Sequence, residues 1–160
     1  MAIVVLGKTL CPICNRVIDD EKQVISFPPI VTNEMDPLFL FHDSAFHEEC
    51  FRRHPLATAA TIRVEEMHEK TAPANRRCQV CMRLIVDPDD YFTLGHLVTA
   101  VNHPLWPYNY AQFHRSCLHD WKDRVFVKSL LEELLSSGKW RGPALRWVLD
   151  GLSLSDRPKT

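Results

Sequence analysis

The sequence lacks most features that announce a function. It has almost no net charge, because 19 Lys and Arg stand against 20 Asp and Glu for a balance of -1. A binder of DNA, RNA or an anionic membrane uses a basic face, and nothing here supplies an excess for one. Arg76, Arg77, Lys139, Arg141 and Arg146 are spread among acids and read as a solvated surface. No apolar run approaches the roughly 20 residues that span a bilayer. The opening MAIVVLG is apolar but short, has no basic region before it and runs into Lys8, so it reads as a strand rather than a signal peptide. The expectation is an intracellular, cytoplasmic chain with reduced thiols, in which metal binding or catalysis outranks disulfides. Also missing are a P-loop, a GxSxG elbow and an HExxH helix. The length of 160 residues suits one ordinary domain, or two small ones of about 60 to 80 residues.

What the chain does have is a repeat. CPIC (Cys11, Cys14) and FHEEC (His47, Cys50) are followed 67 residues later, without a gap, by CQVC (Cys78, Cys81) and FHRSC (His114, Cys117). Arg16 and Arg83, Ile18 and Ile85, Leu38 and Leu105, and Phe46 and Phe113 obey the same offset. A fixed offset marks a duplicated unit. The boundaries predicted are 1–72 for a first unit with a helical extension, 73–137 for a second unit with a long helix, 138–152 for a short C-terminal helix, and 153–160 for a flexible tail. Residues 70–77, KTAPANRR, form the joint.

Each copy offers three thiols and one imidazole, the number and kind of ligands that close a tetrahedral zinc site. A C-x2-C turn aims two sulfurs at one ion, and H-x2-C at the start of a helix places its ligands on one face. All six cysteines are used, so two structural Zn2+ ions are expected. Iron in the same sulfur-rich set is the alternative metal. The other reading of CPIC is a redox pair, but CQVC lacks the proline and no thioredoxin-like pattern surrounds either pair.

A knuckle, a β-rich stretch and then a helix opening with HxxC resemble the treble-clef zinc finger, versions of which occur in LIM, PHD and RING domains. The resemblance covers most of 8–54 and 75–121. It implies an α+β fold of two tandem treble-clef units, joined by extra helices into one compact body. RING and LIM units carry eight ligands for two ions, whereas each copy here has four. Ubiquitin ligases of RING type carry an aliphatic residue just inside the first knuckle that contacts the conjugating enzyme; Ile13 and Val80 hold that position here. HNH-type nucleases also use this frame, and Asp36, His42, His103 and Asn109 lie where such a site would form, without a full triad.

The remaining elements are read from pattern. QVISFPPIV and DYFTLGHLVTAV are predicted as strands. Asp43 or Ser44 is placed as the N-cap of the first ligand helix. A helix over 55–70 presents Leu56, Ala60, Val64 and Met67. A second runs from Cys117 to Ser136 with Trp121, Val125, Leu130, Leu131, Leu134 and Leu135 inward, stopped by Gly138. A third, PALRWVLD, ends at Gly151. With every metal ligand supplied by the protein, the expected function is a non-enzymatic adaptor binding a protein partner. Trp106, Tyr108 and Tyr110 are the candidate contact residues, with packing as the competing role. A ligase-like scaffold recruiting a ubiquitin-type conjugating enzyme, and a nucleic-acid binder or nuclease, are the rivals.

Overall fold

The computed structural model describes residues 2–154. Its smallest repeated feature is the knuckle. The Cys11 amide donates to the Arg16 carbonyl at 2.9 Å and the Asn15 amide to the Cys11 carbonyl at 2.8 Å. In the second copy Cys78 to Arg83 and Met82 to Cys78 are both 2.9 Å. Asn15 and Met82 close these turns with φ of 55° and 61°, a left-handed conformation uncommon outside glycine. Isolated bridges, Leu10 to Val17 and Arg77 to Leu84, flank each turn.

The strands keep the 67-residue offset. β1 (Val24–Ser26) pairs antiparallel with β2 (Ala45–His47), Ile25 opposite Phe46. β3 (Tyr91–Thr93) pairs with β4 (Gln112–His114), Phe92 opposite Phe113. Both predicted strands are shorter in the structure, three residues each. Pro28 and Pro29 end the first, since proline cannot extend the ladder. Leaving β1, the chain passes Phe27, Ile30 and Val31, all buried.

The chain separates into two compact units: Met1–Val31 with Pro37–His68, and Thr32–Asp36 with Glu69–Thr160. The first is held by an aromatic cluster in which Phe46 is wholly buried, with ring centroids 5.3 Å from Phe41, 6.1 Å from Phe27 and 6.3 Å from Phe51. After β2 comes α1 (Glu48–Arg52), capped by His47 itself with no side-chain bond. Asp43 and Ser44 precede β2 and are not the cap. Asp43 instead takes φ 46°, and its repeat mate Tyr110 takes 59°. α2 (Ala57–Thr71) follows Pro55, buries Ala60 and rests Val64 and Met67, with Leu56 just before it, on the same core. The opening segment is no strand. It turns at Gly7 (φ 77°) and leaves Ile3 88% exposed; its bonds to the rest of the unit, Ala2 amide to Phe27 carbonyl at 3.3 Å and Gly7 amide to Ile18 carbonyl at 2.9 Å, are isolated and form no ladder.

The second unit takes in residues 32–36. The Asn33 side-chain Nδ2 donates to the Lys139 carbonyl at 3.0 Å, and its Oδ1 accepts from the Arg141 backbone amide at 3.1 Å. The Thr32 hydroxyl donates to the His96 carbonyl at 3.0 Å. The expected long helix is broken. A 3-10 turn over Arg115–Asp120, capped by His114, carries Cys117, Trp121 turns extended, and α3 (Arg124–Ser136) starts afresh. The break lays the Trp121 ring on Phe113, centroids 4.5 Å apart, so packing overrides helix propensity there. α3 buries Val127, Leu131 and Leu134, while Val125, expected inward, is 72% exposed. Gly138 ends it with φ 69°, as a left-handed C-cap does.

α4 (Ala144–Leu154) runs through Gly151 instead of stopping there. That glycine is needed for approach: a Cβ at 151 would lie 2.3 Å from the edge of the buried Phe92 ring. Gly151→Ala is expected to destabilise the chain by about 1–3 kcal/mol through overpacking, read as a lower melting temperature, although alanine is the better helix former. Of the expected tail, 153–160, Ser153 and Leu154 belong to α4, and the rest lies outside the described residues. Among the described residues no helix is long and apolar enough to cross a membrane.

Candidate metal centres

Each hairpin and knuckle brings four side chains together. Cys11, Cys14, His47 and Cys50 form one cluster, and Cys78, Cys81, His114 and Cys117 the other. In each, the ligand atoms all lie within 4.8 Å of one another. In the first, the His47 Nδ1 is 3.4 Å from the Cys14 sulfur and 3.9 Å from that of Cys50. The second repeats these distances, 3.4 Å to Cys81 and 3.9 Å to Cys117. A tetrahedral zinc with ordinary Zn–S and Zn–N bonds has sulfur-to-nitrogen edges of about 3.6 Å, so both clusters fit such an ion. None of the six cysteines is in a disulfide.

The two units deliver the second ligand pair differently. His47 caps α1 and Cys50 lies within it, whereas His114 caps a 3-10 turn and Cys117 lies within that. Both put the pair three residues apart on one face. Cys11 and Cys78 are fully buried, and the other ligands half-buried. His47 has a further support, since its Nε2 lies 3.1 Å from the Val17 carbonyl. A carbonyl only accepts, so Nε2 carries the proton and Nδ1 presents its lone pair to the thiols. This outer contact fixes the tautomer a metal ligand needs.

The thiols themselves call for a cation. Cys14 is held down to about 6, first by the Arg16 backbone amide, with the Arg16 side chain assisting. Cys81 is lowered likewise by the Arg83 amide. In Cys11 and Cys78 burial opposes ionisation, but the amides of the knuckle outweigh it and the thiols are lowered. The last thiol of each set goes the other way. Cys50 is pushed up to about 11 by burial and the neighbouring Cys14, and Cys117 to about 11 by burial and the charge of Cys78. Three thiolates at such range repel, and a divalent cation is what lets the third ionise. Metal uptake at pH 7 should therefore expel at least one proton per site. Calorimetry in two buffers of different ionisation heat measures it. The sign with acid follows from Cys14. Its folded value lies below the unfolded 9.0. The stability its thiolate confers is thus complete above 9 and lost as the pH falls through about 6.

A scan of the chain against protein-family models gave no match. Searches of curated proteins and of solved structures gave none either.

The other sequence candidates are distributed through the units. Ile13 and Val80 are half-buried, each packed against its own unit's core. Of the aromatic loop, Trp106 is 42% exposed. Tyr108 is half-buried, its ring 5.8 Å from Trp121. Tyr110 is 5% exposed, so it is a packing residue and not a surface contact. Trp140 is buried at 5% and Trp147 exposed at 71%. The residues weighed for a nuclease have structural work. The Asn109 side chain accepts from the Leu97 and Val98 amides at 2.8 and 3.1 Å and donates to the Val98 carbonyl at 2.8 Å. His103 Nδ1 accepts from the Leu105 amide at 3.1 Å, and His42 stacks on Phe39.

Proposed function

We propose that the chain is a zinc-stabilised adaptor: two tandem single-zinc units of treble-clef type, neither of them catalytic, that present surface to a protein partner. The observation that carries this is the completeness of the ligand sets. Three sulfurs and one imidazole nitrogen satisfy a tetrahedral ion and leave no position for water or substrate, which separates structural from catalytic zinc. Cys11, Cys14, His47 and Cys50 hold one ion, and Cys78, Cys81, His114 and Cys117 the other. When bound, each ion supplies folding energy. Exposed apolar side chains support the adaptor role: Trp106 in the aromatic loop, and Met82, 65% exposed, at the tip of the second knuckle. Aromatic residues and methionine are enriched at partner interfaces.

The test is affinity capture from the native host with the zinc-loaded chain as bait, read by mass spectrometry. The same protein should be retained reproducibly by the wild type and lost with chelator-treated bait. Retention of nothing above the control bait, or a zinc-dependent hydrolytic activity in the purified chain, would overturn the reading.

A further inference from the structure

The duplication keeps its packing residues but not every buried position. Ala45, 4% exposed at the start of β2, corresponds to Gln112, 5% exposed at the start of β4. The Gln112 Nε2 donates to the Lys70 carbonyl, while its buried Oε1 has no donor among the described residues. A buried acceptor without a donor costs stability. The first unit builds the same hairpin with alanine, so the hairpin does not need the amide.

Gln112 lines a cavity of about 410 Å³ in the second unit, together with Lys70, Arg77, Gln79 and Asn75. The repeat mates of Arg77, Gln79 and Gln112 are Leu10, Pro12 and Ala45. Three apolar positions have thus become polar around one space. Lys70 and Arg77 set two cations there against the single carboxylate of Glu69. The cavity also touches the metal-binding knuckle, because the Gln79 amide donates to the Gln112 carbonyl at 2.9 Å.

From this we infer that the cavity is a binding site for an acidic peptide segment. A carboxylate side chain meets Arg77 and Lys70, and a peptide N–H supplies the donor that Gln112 Oε1 lacks. The terminal torsion of glutamine is soft, so the carboxamide turns toward an incoming donor and exchanges its Lys70 bond for bonds to the peptide. Arginine is the side chain best formed for a carboxylate, which it grips with two parallel bonds. The inference rests on the adaptor reading for its source of ligand, a segment of a partner protein.

The test uses the zinc-loaded chain and two capped peptides, acetyl-AEEA-amide and acetyl-AQQA-amide, followed by two-dimensional NMR. AEEA should shift the Gln112 side-chain amide and the Gln79 backbone amide saturably, and added salt should weaken it. AQQA should leave them in place. Arg77→Ala should weaken AEEA by about tenfold or more, the loss of a bidentate pair of charge-assisted hydrogen bonds. Gln112→Ala restores the first unit's residue, so it should fold and abolish the saturable shifts. No saturable shift with AEEA at millimolar concentration, equal shifts with AQQA, or unchanged affinity in Arg77→Ala overturns the site. A captured partner without peptide binding here leaves the adaptor standing and removes the cavity from it.

Discussion

Replacing His47 by alanine should cost the chain one zinc ion and unfold the first unit. The reason is where that unit keeps its apolar mass. Its buried rings, Phe27, Phe41, Phe46 and Phe51, surround the hairpin and α1, which the metal cluster ties to the knuckle. α2 adds only Ala60 as a fully buried residue. Structural zinc contributes an apparent 10–16 kcal/mol in finger peptides, against a net stability of about 5–15 kcal/mol for a whole domain. A unit of this size cannot lose that term and remain folded. His114→Ala should also cost one ion but leave more structure. α3 and α4, which supply no ligand, add Val127, Leu131, Leu134, Leu145 and Leu152 to the second core. Circular dichroism should therefore show helix surviving in His114→Ala. NMR should show the β1–β2 amides collapsed in His47→Ala and dispersed in His114→Ala. Equal collapse of both units in both variants would mean that the second core depends on its metal as fully as the first.

Phe46→Ala should destabilise the first unit by about 3–5 kcal/mol, the cost of emptying a fully buried aromatic site. Phe46 has no exposed surface, and three phenyl rings pack around it, so the cavity left has little means of closing. The variant should still bind zinc, because no ligand is removed. Denaturant melts of the zinc-loaded protein separate this packing loss from metal loss. An unchanged midpoint would show that the rings contribute little beside the ion.

The metal clusters were legible in the sequence because ligand chemistry is carried by residue type and spacing. The 67-residue echo located all eight side chains. The hairpin registers, Ile25 opposite Phe46 and Phe92 opposite Phe113, keep the same offset, but the sequence pattern by itself pairs no strands. What escaped were features set by contacts between distant segments. The break at Trp121 depends on Phe113 offering a surface, and helix propensity does not record that. Gly151 reads as a stop signal, yet its purpose is to admit Phe92. MAIVVLG has strand composition, yet its backbone bonds, Ala2 to Phe27 and Gly7 to Ile18, are isolated and make no ladder. The polar cavity escaped because a glutamine in a strand looks solvent-facing. Only the alignment of Gln112 with buried Ala45 could have pointed inward.

Elemental analysis of the chain, purified without chelator and quantified by amino-acid analysis, bears on the central claim most directly. Two closed ligand sets predict two zinc ions per chain, falling to one in His47→Ala and in His114→Ala. One ion or none in the wild type, with the thiols reduced, would contradict the account.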